Sequence, residues 1–213
     1  MIYTPETAKT TAQLLLQINA IKLNLTNPFT WASGWKSPIY CDNRKTLSYP
    51  EIRTQIKNFF VEAIRNKFAD AEVIAGVATA GIPMGALIAQ DMNLPYIYVR
   101  SSAKDHGLQN QIEGVLMPGK KVVVIEDLVS TGGSSLKAVE AIRNAEGTVL
   151  GMAAIFTYAF PHAEKSFLEA NCPLVTLSDY PNLIETALEL GTIEQSQIEL
   201  LSQWRQQPDT WGK

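Results

Sequence analysis

The run Val122-Val123-Val124-Ile125 constrains this chain more than any other feature. Four consecutive β-branched residues read as a strand covered on both faces, since neither side of the pleat then suits water. Val73 to Val77 and Tyr96 to Arg100 are two more runs of strand length. Helical patterns alternate with them. Ile82 to Asp91 is one, and Ser134 to Asn144 is another, with Leu136, Val139 and Ile142 on one face and Gly147 beyond its end. Strand, loop, helix, strand predicts an α/β fold whose parallel sheet is built by right-handed crossovers. In such folds the ligand site lies at the carboxyl ends of the strands, where the loops gather.

Elements outside this core follow from periodicity. Ala8, Ala12, Leu15, Ile18 and Ile21 predict a helix from Thr7 to about Lys22. Pro50 opens a second, with Ile52, Ile56, Phe59 and Ala63 on one face. Beyond Gly151, the pattern predicts a strand over Met152 to Thr157, a helix over Ala163 to Ala170, a short strand over Leu174 to Leu177 and a terminal helix over Ile193 to Arg205. With no internal repeat, the expectation is one domain over residues 1–213, its α/β core spanning about 70–180.

Charge and cysteines narrow the function. A net charge of -3 with both signs scattered gives no basic stripe for nucleic acid and no basic amphipathic surface for a membrane. Cys41 and Cys172 stand far apart, without metal-ligand or disulfide spacing, which suits a reducing compartment. The start, MIYTPETAKTTAQ, has no basic patch followed by an apolar run, and no stretch approaches membrane-spanning length. A cytoplasmic protein acting on a small molecule is expected.

The strand at Val122 continues as Glu126-Asp127-Leu128-Val129-Ser130-Thr131-Gly132-Gly133-Ser134-Ser135. N–H groups of a Ser/Thr/Gly loop at a helix N-terminus converge on one spot, and the helix dipole adds positive charge, which suits a phosphate monoester. The adjacent carboxylates Glu126 and Asp127 accept from a ribose 2′,3′-diol and favour a sugar cation nearby. Gly133 is followed by Ser134 where a Walker A loop needs lysine, so an NTPase is set aside.

The whole string resembles the phosphoribosyl pyrophosphate signature of the type I phosphoribosyltransferases. Phe29-Thr30-Trp31-Ala32-Ser33-Gly34-Trp35-Lys36-Ser37-Pro38-Ile39-Tyr40 and the following Asp42-Asn43-Arg44 resemble the N-terminal motif of that family's orotate-using branch. The resemblance implies the type I fold, a mostly parallel sheet with a small N-terminal hood over about 1–45 and a mobile loop. It also implies transfer of a phosphoribosyl group to orotate. Phosphoribosyl pyrophosphate would meet Glu126, Asp127, Leu128, Val129, Ser130, Thr131, Gly132, Gly133 and Ser134. Orotate would meet Ser130, Tyr40 and Arg44, whose guanidinium can grip a carboxylate bidentately.

Two further loops fit the same branch. Ser101 to Gly119 exceeds the length of ordinary connections, and loops this long are usually lids or binding loops. It resembles the family's catalytic loop, with Arg100, Lys104 and His106 on the basic positions that would meet departing pyrophosphate. Ala78-Thr79-Ala80-Gly81 resembles the pyrophosphate-binding loop. One branch of the family carries lysines where this chain has Ala32, Ala80 and Ser101, leaving fewer cations for that task. The resemblance further implies Mg²⁺ carried chiefly by the substrate rather than by a protein cage, and a homodimer with shared sites. The catalytic set it implies is Lys104, Glu126 and Asp127.

Overall fold

A computed structural model of the protein describes residues 1–31, 33–101 and 111–211. Helix α1 (Pro5–Gln17) starts at Thr4, whose side chain accepts the Thr7 N–H at 3.1 Å, with proline in the first turn. It stops short of the expected Lys22. Asn19 adopts a left-handed φ of 52°, and the apolar residues beyond it enter strand β1 (Ile21–Leu23). Strands β2 (Phe29–Thr30) and β3 (Lys36–Ser37) form a small antiparallel ribbon, and β4 (Ile39–Cys41) returns to pair with β1. A 3-10 turn over Asn43–Ser48 leads into α2 (Pro50–Lys67), where Glu51 in the first turn and Arg65 and Lys67 in the last complement the helix dipole.

The core then alternates as expected: β5 (Val73–Val77), α3 (Gly81–Met92), β6 (Tyr96–Val99), β7 (Ile112–Glu113), β8 (Lys121–Val129), α4 (Gly133–Asn144), β9 (Thr148–Thr157), α5 (Pro161–Glu169) and β10 (Leu174–Asp179). Two further helices follow, α6 (Tyr180–Glu189) and α7 (Ile198–Gln206). The six-stranded sheet has the order β10-β9-β8-β5-β6-β7, with every pairing parallel except β6 with β7. The outer edge of β10 is covered by the N-terminal residues through a parallel bridge between Ile2 and Thr176.

Strand alternation divides the interior. Val123, Ile125, Ala153 and Ile155 face one core with Phe60, Ile64 and Ile88, whereas Val122, Val124, Met152 and Ala154 face the other with Val139 and Phe167. Because β5 lies beside both β6 and β8, the chain leaves the top of β5 in one direction and the top of β8 in the other. A crevice opens between them at the carboxyl ends.

Several expectations shift. β8 runs on through both carboxylates to Val129 because β9 continues beside it, pairing Leu128 with Phe156 and Val129 with Thr157. The terminal helix begins at Ile198 rather than Ile193, after a short 3-10 turn over Gln195–Gln197. Glu146, at φ 63°, takes the left-handed position after α4. Gly147 instead allows close approach: a Cβ there would lie 2.7 Å from the Ile142 side chain. Helix α6 had no counterpart in the periodicity.

An aromatic cluster fastens the small N-terminal strands to the body. Fully buried Trp204 of α7 makes edge contacts with Trp31, Tyr158 and Phe160, and its Nε1–H donates to the carbonyl of Lys36. Ser37 donates to the Ile39 carbonyl at 2.8 Å and Trp31 Nε1–H donates to it at 3.1 Å, so these motif residues brace the hood itself.

Candidate active site

Beyond Ile125 the ladder between β5 and β8 ends, since its last register pair is Gly76 with Ile125. The β5–α3 connection turns aside there through Ala78-Thr79-Ala80, with a cis peptide between Ala78 and Thr79. Gly81 lets that turn lie against β8, because a Cβ at this position would overlap the carbonyl oxygen of Ile125. The gap so formed is a cleft of about 310 Å³ lined by Cys41, Asp42, Arg44, Thr79, Ala80 and Asp127. Three segments remote in sequence thus converge.

Alternation along β8 sends the two carboxylates opposite ways. Glu126 is 6% exposed and turned toward α4, where the Ser135 hydroxyl donates to Oε2 at 3.0 Å and the Asp127 N–H donates to Oε1 at 3.0 Å. Asp127 faces the cleft. Burial, followed by the charge of Asp127, pushes the Glu126 carboxyl well above the ordinary carboxylate range, and burial raises Asp127 also. The Ser135–Glu126 bond makes the acid pair and the first turn of α4 one unit.

The loop from Ser130 to Gly132 reaches α4 through Gly132, at φ 84°, where other residues are strained. Thr131, Gly133 and Ser134 are exposed, and a Cβ at Gly133 would meet nothing within 4 Å. N–H groups in a helix's first turn have no preceding turn to bond into, so this mouth offers donors. Leu128 is half-buried, whereas Val129 is buried, its carbonyl accepting from Thr157 Oγ1 at 3.0 Å.

On the opposite wall, Arg44 Nε–H donates to Asp42 Oδ1 at 2.6 Å, and this bond holds Asp42 below the usual carboxylate range. Arg44 is otherwise exposed, keeping the outer edge of its guanidinium available. Between these residues Asn43 is buried, its Nδ2–H donating to the Asp127 carbonyl at 2.7 Å. Burial, with Asp127 and Asp42 adding to it, pushes the Cys41 thiol up, so it stays protonated. The arrangement sets an anionic wall against a guanidinium and a run of backbone donors.

The sequence-derived residues do not all meet. Arg44, Thr79, Ala80 and Asp127 share the cleft, with Ala78 and Gly81 forming the turn behind it. Tyr40 is exposed and leans on Phe29, with ring centroids 5.6 Å apart, while its neighbours Cys41 and Asp42 line the cleft. Arg100 stands at the end of β6, two strands from β8. Its N–H donates to the Gln111 carbonyl, and Nη1 lies 3.7 Å from Glu113 Oε1. β6 and β7 pair antiparallel, Val99 with Ile112; Lys104 and His106, like Ala32, lie outside the described residues. Among the described residues no cluster of three or more His, Cys, Asp or Glu side chains assembles. Sequence reasoning assigned no task to Asn43 or Ser135, since neither type nor spacing marks a bond made across the fold.

Comparison with known proteins gives four findings. The family model for the phosphoribosyl transferase domain matches residues 46–180. The orotate phosphoribosyltransferase of Porphyromonas gingivalis is 59% identical over 204 residues, covering 96% of this chain and 97% of that protein. Among solved structures, the orotate phosphoribosyltransferase of Aeropyrum pernix superposes with a TM-score of 0.75 at 28% identity, covering 86% of this chain and 99% of that one. The UMP synthase of Leishmania donovani does so at 0.77 and 26% identity over 92% of this chain, which spans only 42% of that longer protein.

Proposed function

The chain belongs to the phosphoribosyl transferase domain family and, within it, to the orotate phosphoribosyltransferases, and from that premise we infer that it joins N1 of orotate to C1 of phosphoribosyl pyrophosphate. The products are orotidine 5′-monophosphate and pyrophosphate, and the step belongs to pyrimidine biosynthesis. The observation that carries the assignment of residues is the convergence of Asp127, Arg44 and the Thr79-Ala80 turn on one cleft, with the first turn of α4 tied to the same strand end through Ser135 and Glu126.

The N1–C1 bond forms as the C1–O bond to pyrophosphate breaks, the electron pair leaving with pyrophosphate, which with solvent takes up the N1 proton, while the sugar gains oxocarbenium character. Asp127 presents its carboxylate to the ribose hydroxyls and to the positive charge growing on the ring. Glu126 acts from beneath, holding the Asp127 N–H and, through Ser135, the first turn of α4. The donors from Ser130 to Ser134 take the 5-phosphate. Arg44 exchanges part of its contact with Asp42 for the orotate carboxylate, and Ser130 and Tyr40 border the base. Backbone groups of the Ala78–Gly81 turn, with Arg100, Lys104 and His106, receive the pyrophosphate.

Mg²⁺ suits this site as an ion brought in on the substrate, because Asp42 and Asp127 put hard oxygen ligands on the cleft wall. When bound, it neutralises charge on the departing pyrophosphate. By family resemblance the active form is a homodimer whose catalytic loops reach the neighbouring site, and the cytoplasm is its compartment. No described helix is long and apolar enough to cross a membrane.

The test is the loss of orotate absorbance with purified protein and Mg²⁺, with and without phosphoribosyl pyrophosphate. Loss that needs the donor is expected, and Asp127→Asn should remove most of it while the protein stays folded. A full rate in that variant, or wild-type consumption of uracil in place of orotate, would overturn the assignment.

A further inference from the structure

Past Gly76 and Ile125, β8 has no strand on its β5 side, yet its main chain still needs partners there. Asp127 is the residue affected. Its N–H donates to Glu126 Oε1 at 3.0 Å, and its carbonyl accepts from Asn43 Nδ2 at 2.7 Å. Two side chains thus replace the missing ladder, one from β8 itself and one from the hood.

Asn43 is built into place. It is 1% exposed, its Oδ1 accepts from the Cys41 thiol at 3.2 Å, and its own carbonyl accepts from Thr46 Oγ1 at 2.7 Å. One end of the side chain must donate to a carbonyl and the other must accept from a thiol, a combination that an amide meets and neither a carboxylate nor a hydrocarbon does. Its chain neighbours Asp42 and Arg44 both line the cleft, as does Asp127.

We propose that Asn43 is a positioning residue: its bond to the Asp127 carbonyl holds the hood's Asp42–Arg44 segment and the carboxylate strand in one frame, so that base and sugar meet in register. The proposal rests on the functional reading above, in which Arg44 serves orotate and Asp127 serves ribose. Binding of either substrate alone needs only one wall of the cleft, whereas the reaction needs both walls at a fixed separation. Loss of the bond should therefore reach turnover before it reaches affinity, and a misplacement of about 1 Å is enough for a loss of roughly 100-fold.

The experiment uses the full chain with Asn43→Leu, which keeps the volume and removes the donor. Asn43→Asp is the second variant, keeping the shape and the acceptor toward Cys41. Both should stay folded, bind phosphoribosyl pyrophosphate within about threefold of wild type by calorimetry, and lose about 10- to 100-fold in kcat. A role in stability alone would leave the effects on kcat additive, but positioning does not: Arg44→Ala should raise the orotate KM in both backgrounds, and its effect on kcat should be smaller in Asn43→Leu than in wild type. Wild-type kcat in the folded variants, additive effects in the cycle, or failure of both variants to fold would overturn the proposal. An inactive wild-type protein would instead refute the functional reading, so the two failures are told apart.

Discussion

Replacing Glu126 by Gln should leave the site's shape intact and remove the titration that ties it to stability. The wild-type carboxyl is buried against Asp127, so its folded-state pKa lies above the unfolded one, and the two acids titrate as a pair. Unfolded glutamate loses its proton near pH 4.3 or so. Between that range and the raised value, the folded protein holds a proton that the unfolded chain has released. Stability is therefore fully present at the acid end of this window and is lost as pH rises through the folded-state pKa. Glutamine can keep both hydrogen bonds, with Oε1 accepting the Asp127 N–H and Nε2 donating to a Ser135 hydroxyl turned to accept. Near pH 5 the variant should match wild type to within about 1 kcal/mol, the scale of one altered neutral hydrogen bond. At pH 9 it should exceed wild type by about 1.4 kcal/mol for each unit by which burial raises the pKa. Urea denaturation of ligand-free protein across pH 5 to 9 reads the difference directly. Turnover near neutral pH should change by less than about tenfold, the scale of one altered neutral hydrogen bond, since the wild-type carboxyl is itself uncharged there. Two stability curves that stay parallel across the whole range would refute the reasoning.

Gly81→Ala should destabilise by about 1–3 kcal/mol, because the added methyl overlaps the Ile125 carbonyl and neither piece of backbone can yield cheaply; an unchanged melting temperature would exclude that contact. Trp204→Ala should cost about 3–5 kcal/mol by the usual measure of a buried aromatic. It should also release the hood, seen as faster amide exchange at Trp31 and Ile39, and equal protection in the two proteins would show that the hood stands without α7. Lys104→Ala should lower kcat by roughly 10²- to 10³-fold with little change in orotate Kd, as befits a cation that meets charge only in the transition state; a Kd effect as large as the kcat effect would assign it to binding instead.

How much of this was legible in the sequence depends on where each residue's partners lie. Val122 to Ile125 announces a strand because both faces are apolar, a property local to four residues. Its continuation to Val129 is not local, since β9 supplies the partners. β7 is two residues long and exists only through pairing with Tyr98 and Val99. For α6 a signal was present in residue type rather than in periodicity: Asp179 caps the helix by accepting the Asn182 N–H, with proline in the first turn. The Gly-rich loop and the acid pair were readable because their chemistry is carried by residue type. What sequence could not supply was which way each acid turns, and that Ser135 and Asn43 hold them.

Consecutive residues of a strand cannot face the same side, and this bears on why two acids stand together at the end of β8. If both were needed at the ribose, spacing them two apart would serve better. Instead Glu126 goes to the Val122 and Val124 side, where its bond from Ser135 anchors the first turn of α4, while Asp127 goes to the Val123 and Ile125 side, under the hood. The two are joined through the Asp127 N–H and Glu126 Oε1. In the proposed function, a phosphate at α4 and a sugar at Asp127 would thereby be referred to one short piece of β8, whose continuation beside β9 keeps it rigid. The distance between the ends of a sugar phosphate is fixed by covalent bonds, and a site built on a single strand end can match it without relying on how separate loops settle.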